Sequence, residues 1–204
     1  MAASQNRIET ELVLASASPR RRELLHAAGV AFEVIPADIP EERLASEGPL
    51  VFASRLAREK ALAVATRLEP GPPRWVLGAD TIVVLGDRVL GKPRDRDDAL
   101  RLLSALAGQT HEVVTAVALA RTGTGFVAET AVTSRVRLRP ATTDELRAYV
   151  ATGESDDKAG AYALQGEGRR FVESVEGSES NVIGLPVEET LRLLEQATKA
   201  TPPP

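Results

Sequence analysis

The stretch LASASPRRRELL, Leu14–Leu25, decides how the fold begins. The apolar residues at its start predict a buried strand. Ser18 is a good N-cap, and Pro19 then stands at the first helical position, where proline is favoured. The two leucines at its end supply an apolar face, and Gly29 is a natural stop for the helix. We therefore predict a strand that runs directly into a helix, as α/β proteins have.

Three consecutive arginines, Arg20–Arg22, begin this helix. The helix dipole already places positive charge there, so each cation costs about 0.3–1 kcal/mol. One interpretation is that the side chains bend into solvent. The other is an anion site in which backbone N–H groups after Ser18 and the forks of Arg20 and Arg21 bind phosphate. Charge-assisted hydrogen bonds contribute about 1.5–3 kcal/mol each, so a bound triphosphate would offset the misplaced charges.

Composition limits the classes of protein to which the chain can belong. It has 204 residues, 43% of them hydrophobic, no cysteine and a net charge of −4. Disulfides, thiolate metal sites and a cysteine nucleophile are therefore excluded, and the acidic balance argues against a nucleic-acid binder. We find no apolar run of the ~18 residues that a membrane span needs and no signal peptide. We expect a cytoplasmic protein with a disordered lead (1–10), one domain (11–198) and a disordered tail (199–204).

Helical and strand patterns alternate along the rest of the chain. Gly86 and Asp87 predict a two-residue type II′ hairpin, so the sheet should be mixed rather than purely parallel. We also predict strands over 31–38 and 169–177 and a loop over 178–186. The expected fold class is α/β, with a mixed β-sheet and flanking helices.

Asp80 lies inside an apolar run, LGADT, where a carboxylate is costly unless it is paired. It is either bonded to local backbone at a strand end, or it holds a divalent cation, activates water, or both. Glu41, in an acidic loop, is a candidate second metal ligand, although Glu42 beside it is an equal choice.

Two lysines and a glutamine are further candidates. Lys60 belongs either to a solvated helix face or to a site that neutralises phosphate. Lys92, between a glycine and a proline, has a constrained backbone that could aim its ammonium at phosphate. Gln165 lies in the stretch DKAGAYALQG, whose two glycines allow close approach of the backbone to a ligand, and it carries the donor and acceptor needed to contact a base edge, although an ordinary surface loop would look the same.

The chain lacks the motifs of P-loop kinases, dinucleotide-binding dehydrogenases and classical hydrolases. Instead, an ordered set of segments resembles the Maf family of nucleoside triphosphate pyrophosphatases. The matching segments are LASASPRRRELL, RLAREKA, VLGADTIVVL, LGKPRD, LSALAGQTHEV, GESDDKAGAYALQG and VEGSESNVIGLP. The resemblance implies two lobes around a deep cleft, hydrolysis of a nucleoside triphosphate at the α–β linkage, and a divalent cation, Mg²⁺ or Mn²⁺.

The same resemblance implies roles for single residues. Asp80 matches the proton-accepting residue, and it would share the metal with Glu41. The residues implied in substrate binding are Ser18, Arg20, Arg21, Lys60, Thr81, Lys92 and Gln165, with Arg20, Thr81 and Gln165 at positions tied to substrate choice. The stretch DKAGAYALQG favours the subgroup that hydrolyses dTTP and UTP over a sister subgroup that prefers 7-methyl-GTP. A homodimer is suggested, and a regulatory nucleotide-binding module in cell division is the alternative class.

Overall fold

The computed structural model describes residues 12–68, 70–125 and 127–200. The predicted disordered lead lies outside these residues. Their helices are α1 (Pro19–Ala27), α2 (Pro49–Arg67), α3 (Arg96–Leu106), α4 (Thr143–Ala151), α5 (Glu179–Ile183) and α6 (Val187–Ala200). Their strands are β1 (Leu12–Leu14), β2 (Glu33–Val34), β3 (Trp75–Leu85), β4 (Arg88–Leu90), β5 (Thr110–Arg121), β6 (Val127–Leu138) and β7 (Val172–Glu176). No helix in this part of the chain is long and apolar enough to cross a membrane.

The strands of the described residues form one mixed sheet in the order β2-β1-β3-β5-β6-β7, with β4 paired to β3. β1 runs parallel to both β2 and β3, whereas β4 is antiparallel to β3 and β7 is antiparallel to β6. The turn from β3 to β4 has Gly86 at φ +59°, and Asp87 has no positive φ, as a type II′ turn requires. The predicted mixed α/β class is confirmed.

Three predicted elements are wrong in extent or type. The strand over 31–38 is only the two residues of β2, because β1 offers a short edge and Pro36 has no N–H to donate. The strand over 169–177 begins only at Val172, after a 3₁₀ helix at Gly166–Phe171. The loop over 178–186 contains α5, whose first turn is capped by the Ser178 hydroxyl.

The tail is also corrected at its start. Lys199 and Ala200 belong to α6, where the Lys199 ammonium lies 2.5 Å from the Glu195 carboxylate, one turn earlier. This i,i+4 ion pair and the apolar face of α6 extend the helix beyond the predicted boundary.

Contacts group the described chain into two compact units. Unit 1 contains the residues up to Asp80, Ala116–Ala131 and those from Gly184 on, whereas unit 2 contains Thr81–Thr115 and Val132–Ile183. Each unit has its own apolar cluster. The largest members in unit 1 include Leu12, Leu14, Leu25, Trp75, Leu77 and Leu119. Those in unit 2 include Leu103, Leu106, Leu138, Tyr149, Tyr162 and Phe171.

Candidate active site

The arginines in the first turn of α1 differ in how far they are buried. Ser18 caps the helix by accepting a hydrogen bond from the Arg21 backbone N–H, and Arg22 is exposed. The Arg21 side chain is 9% exposed. Its Nε donates to the Gly184 carbonyl at 2.8 Å, and its Nη1 donates to the Ser16 hydroxyl at 3.1 Å. The solvent interpretation therefore holds for Arg22 and is wrong for Arg21.

The carboxylates of Asp80 and Glu41 lie close enough to the Arg21 guanidinium to influence its charge. Burial lowers the pKa of the Arg21 guanidinium, while the carboxylates of Asp80 and Glu41 oppose the change and the neighbouring Arg20 adds to it. A buried cation is costly unless acids compensate it. The start of α1 thus lies beside the two predicted metal ligands.

A glycine brings α2 against β3 next to these acids. A Cβ added at Gly78 would lie 2.2 Å from the Ala57 carbonyl and 2.6 Å from the Ala61 N, both in α2. Only a residue without a side chain permits this approach of helix to strand. Since side chains two apart on a strand share a face, Asp80 points toward α2 as Gly78 does.

Lys60, on the turn of α2 that touches Gly78, joins the two acids. Its Nζ lies 2.6 Å from Asp80 Oδ1 and 2.6 Å from Glu41 Oε1. Lys60 and Asp80 are each 6% exposed, whereas the Glu41 side chain is 44% exposed. The solvated-face interpretation of Lys60 is therefore wrong, and the buried Asp80 carboxylate is paired with Lys60, a partner that neither interpretation of Asp80 named. Of the two acidic neighbours weighed from sequence, Glu41 is the one that pairs with Lys60.

The loop that carries Glu41 is held by a cluster that the sequence analysis missed. Arg55 Nη2 donates to Glu47 Oε2 at 2.9 Å and to the Glu42 carbonyl at 2.8 Å. The hydrogen bonds from Arg55 lower the pKa of the Glu47 carboxyl to about 2. Arg55 had only the appearance of a solvated helix residue, because its partner is eight positions away across a loop and shows no periodic signal.

The acids could hold a cation together with a substrate. The described residues contain no group of three or more His, Cys, Asp or Glu side chains arranged to hold a metal. The Glu41 and Asp80 carboxylates nevertheless converge on one cationic atom, Lys60 Nζ. Mg²⁺ commonly uses one or two carboxylates and completes its shell with substrate phosphates and water. The donor set therefore fits a hard divalent cation delivered with a polyphosphate.

Thr81 follows Asp80 on β3 but belongs to unit 2. It is the only incompletely buried residue between Trp75 and Val84. Its hydroxyl lies 2.9 Å from the Thr115 hydroxyl, which in turn donates to the Asn181 carbonyl at 3.0 Å. The predicted substrate residue thus ends a buried chain of polar groups.

Lys92 and Gln165 lie in two connected segments of unit 2. The Gly91 carbonyl, next to Lys92, accepts a hydrogen bond of 3.0 Å from the Gly160 N–H. Ala161, which follows, is fully buried with φ +60°, a conformation that an alanine rarely adopts and that is typical of functional segments. Both Lys92 and Gln165 are exposed.

The backbone after Gln165 is fixed by an acid. The Glu154 carboxylate accepts hydrogen bonds from the N–H groups of Glu167 at 2.9 Å and Gly168 at 3.0 Å. It also accepts one from the Tyr149 hydroxyl at 3.1 Å. These contacts hold the backbone of the 3₁₀ helix at Glu167 and Gly168, directly before the predicted strand, and the helix continues through Phe171 in place of the first strand residues.

Comparison with known proteins identifies the family. Residues 11–197 match the family described as Maf-like protein. The chain belongs to the Maf family. A curated relative from Geobacter sulfurreducens is 50% identical over 91% of this chain and 95% of its own length. One from Myxococcus xanthus is 52% identical over 94% of this chain and 95% of its own length. A relative from Anaeromyxobacter dehalogenans is 53% identical over 91% of this chain and 93% of its own. Each of the three is named a dTTP/UTP pyrophosphatase.

The predicted residues of this Maf protein are divided between the two units. Unit 1 contains Ser18, Arg20, Arg21, Glu41, Lys60 and Asp80. Within it, the buried cations Arg21 and Lys60 are balanced by the carboxylates of Glu41 and Asp80. Unit 2 contains Thr81, Lys92 and Gln165.

Proposed function

We propose that this Maf protein hydrolyses dTTP and UTP to the nucleoside monophosphate and pyrophosphate. The observation that carries the proposal is the Lys60 ammonium bound to both Glu41 and Asp80, beside the buried Arg21. Relatives about half identical over nine-tenths of the chain bear the name of this activity.

The cluster suits attack of water on a nucleoside triphosphate. In the proposed step, the water oxygen forms a bond to the α-phosphorus while the bond from the α-phosphorus to the bridging oxygen breaks. Pyrophosphate leaves with that oxygen, and Asp80 accepts a proton from the water. Asp80 is proposed as the base rather than Glu41 because it is the more buried carboxylate, and water-excluded groups interact more strongly with developing charge.

The cations of unit 1 have separate tasks in this proposal. Arg20 binds phosphate oxygens at the start of α1, where the backbone N–H groups of Arg21 and Arg22 are already bonded to Ser18. Arg21, anchored on Gly184 and Ser16, supplies a fixed positive charge rather than a mobile one. Lys60 holds the two carboxylates close together and neutralises phosphate charge beside them. Phosphoryl transfer depends mostly on such positioning and charge neutralisation.

We also propose that Glu41 and Asp80 hold Mg²⁺ or Mn²⁺. When bound, the cation neutralises phosphate charge and polarises the group under attack. The chain would supply the carboxylates of Glu41 and Asp80 as ligands to this cation.

A substrate panel tests the function. Pyrophosphate release is measured with Mg²⁺ from dTTP, UTP, CTP and 7-methyl-GTP at equal concentration. We expect turnover of dTTP and UTP well above that of the other two. Turnover confined to 7-methyl-GTP would place the chain in the sister subgroup, and binding of every nucleotide without turnover would favour a regulatory binding module.

The roles of Lys92, Thr81 and Gln165 in selecting the nucleotide belong to the same proposal, since they come from the family motifs. A cytoplasmic location and a homodimer stay predictions of the sequence.

A further inference from the structure

Lys60 lies where the two proposed metal ligands meet. Its Nζ is 2.6 Å from Asp80 Oδ1 and 2.6 Å from Glu41 Oε1. Lys60 and Asp80 are each 6% exposed, so salt and water screen their attraction poorly. An ammonium group and a divalent cation bind the same kind of oxygen. The two carboxylates on which a metal would depend therefore already share a cation that belongs to the chain.

The balance of charge around these carboxylates also disfavours a further cation. Arg21 is 9% exposed, and two hydrogen bonds anchor its side chain. Lys60 and Arg21 together offset the charges of the Glu41 and Asp80 carboxylates, and Arg20 adds positive charge nearby. A divalent cation that bound here by itself would leave an excess of buried positive charge, which is costly.

We propose that Lys60 is an internal competitor of the divalent cation, which keeps free Mg²⁺ or Mn²⁺ off Glu41 and Asp80 until a nucleoside triphosphate binds. A triphosphate with one bound dication still carries net negative charge. The complex therefore supplies the anion that the bare cation lacks, and its phosphates can bind the Lys60 ammonium. The substrate is then the metal–nucleotide complex, and no metal is loaded beforehand. The inference rests on the proposed function and adds the order of binding to it.

The test measures binding rather than turnover. Without nucleotide, Mn²⁺ is titrated into wild type, Lys60→Met, which removes the charge, and Lys60→Arg, which keeps it, and the signal of the free ion is followed by electron paramagnetic resonance. Calorimetry then measures binding of a UTP analogue to wild type with and without Mn²⁺. The analogue has an NH group in place of the α–β bridging oxygen, so the proposed hydrolysis cannot consume it. Circular dichroism shows which variants are folded.

Two controls assign any new Mn²⁺ site to the Lys60 cluster. Lys158→Met removes a comparable lysine from unit 2, where the Lys158 Nζ lies 2.6 Å from Asp157 Oδ1 and the side chain is 14% exposed. This variant frees a carboxylate that is not paired with a second acid through the lysine. Lys60→Met combined with Asp80→Asn removes one of the two proposed ligands together with the competitor.

We expect Lys60→Met to bind free Mn²⁺ about tenfold or more tightly than wild type, because removal of one adjacent positive charge favours a dication by at least this factor. Lys60→Arg and Lys158→Met should bind it as weakly as wild type. The added Asp80→Asn change should abolish the gain. In wild type, Mn²⁺ should lower the Kd of the UTP analogue by about tenfold or more, since the two ligands bind as a complex.

Uptake of one Mn²⁺ by nucleotide-free wild type at micromolar concentration would overturn the inference, and this result needs no variant to fold. Equal Mn²⁺ affinity of wild type and folded Lys60→Met would also overturn it, as would analogue binding that Mn²⁺ does not change. Each of these results leaves the proposed activity intact. Absence of UTP hydrolysis by wild type would instead refute the proposed function, while the Mn²⁺ titrations would still decide the role of Lys60.

Discussion

Lowering the pH from 7 to 5 is expected to destabilise the folded chain through His111. This side chain is 2% exposed, and its Nε2 lies 2.7 Å from the Tyr162 hydroxyl. Its Nδ1 is buried without a hydrogen-bond partner among the described residues. Protonation would place a charge and a second N–H donor in this position. Burial accordingly lowers the pKa of His111 to about 4.

The pKa difference sets the size of the effect. The unfolded chain binds a proton at His111 near pH 6.5, about 2.5 pH units above the folded chain, so stability is retained above pH 6.5 and lost as the pH falls toward 4. With these two values, His111 alone reduces the free energy of unfolding by ~2 kcal/mol between pH 7 and pH 5. Carboxyls such as Glu47 and Asp98, with a pKa of about 2, lose their contribution mostly below this window.

Urea unfolding of wild type and His111→Gln at pH 7, 6 and 5 measures the effect. The glutamine keeps polar atoms near Tyr162 but does not titrate, so only the difference between the two pH dependences is used. Wild type should lose about 2 kcal/mol more than the variant between pH 7 and 5. Parallel pH dependences, or an NMR titration of the His111 ring near pH 6.5, would refute the reasoning.

Three further predictions concern unit 1. Asp80→Asn should leave the circular dichroism spectrum unchanged and reduce pyrophosphate release by roughly 10²–10⁴-fold, as for loss of a general base. Gly78→Ala should lower stability by about 1–3 kcal/mol and also lower kcat, because the new Cβ would collide with the backbone of α2. Gly48→Ala, whose Cβ would meet nothing within 4 Å, should cost at most about 1 kcal/mol, because Gly48 is the N-cap of α2, and should leave kcat unchanged. Arg55→Met should raise the Mg²⁺ concentration for half-maximal activity by about tenfold, whereas Arg58→Met, on the same helix, should not.

Each of these predictions has a clear contrary result. Full activity in Asp80→Asn would remove that residue from the chemistry. Wild-type kcat in a folded Gly78→Ala protein would show that the close approach of helix and strand does not position the cluster. An equal Mg²⁺ requirement in Arg55→Met and Arg58→Met would show that the contact between Arg55 and Glu47 does not hold the loop that carries Glu41.

The local chemistry of the chain predicted much of the fold correctly. Ser18 and Pro19 placed the start of α1, and Gly86 with Asp87 fixed a type II′ hairpin, because caps and tight turns depend on residues adjacent in sequence. The predicted extent of β2 and the predicted start of the strand after Gln165 were wrong, because these segments depend on residues that are distant in sequence. Their backbone partners are decided by a short neighbouring strand and by Glu154, neither of which leaves a periodic pattern.

The same division applies to the site. The sequence by itself predicted candidate residues for the site, since a carboxylate in an apolar strand and arginines at a helix start are out of place unless something compensates them. Only the tertiary structure decided their pairing: Lys60 with both acids, Arg21 with the Gly184 carbonyl, and the Thr115 proton with Asn181. These partners are between 19 and 163 positions apart. Their distances depend on how α2 and α5 pack, which the spacing of residues along the chain does not encode.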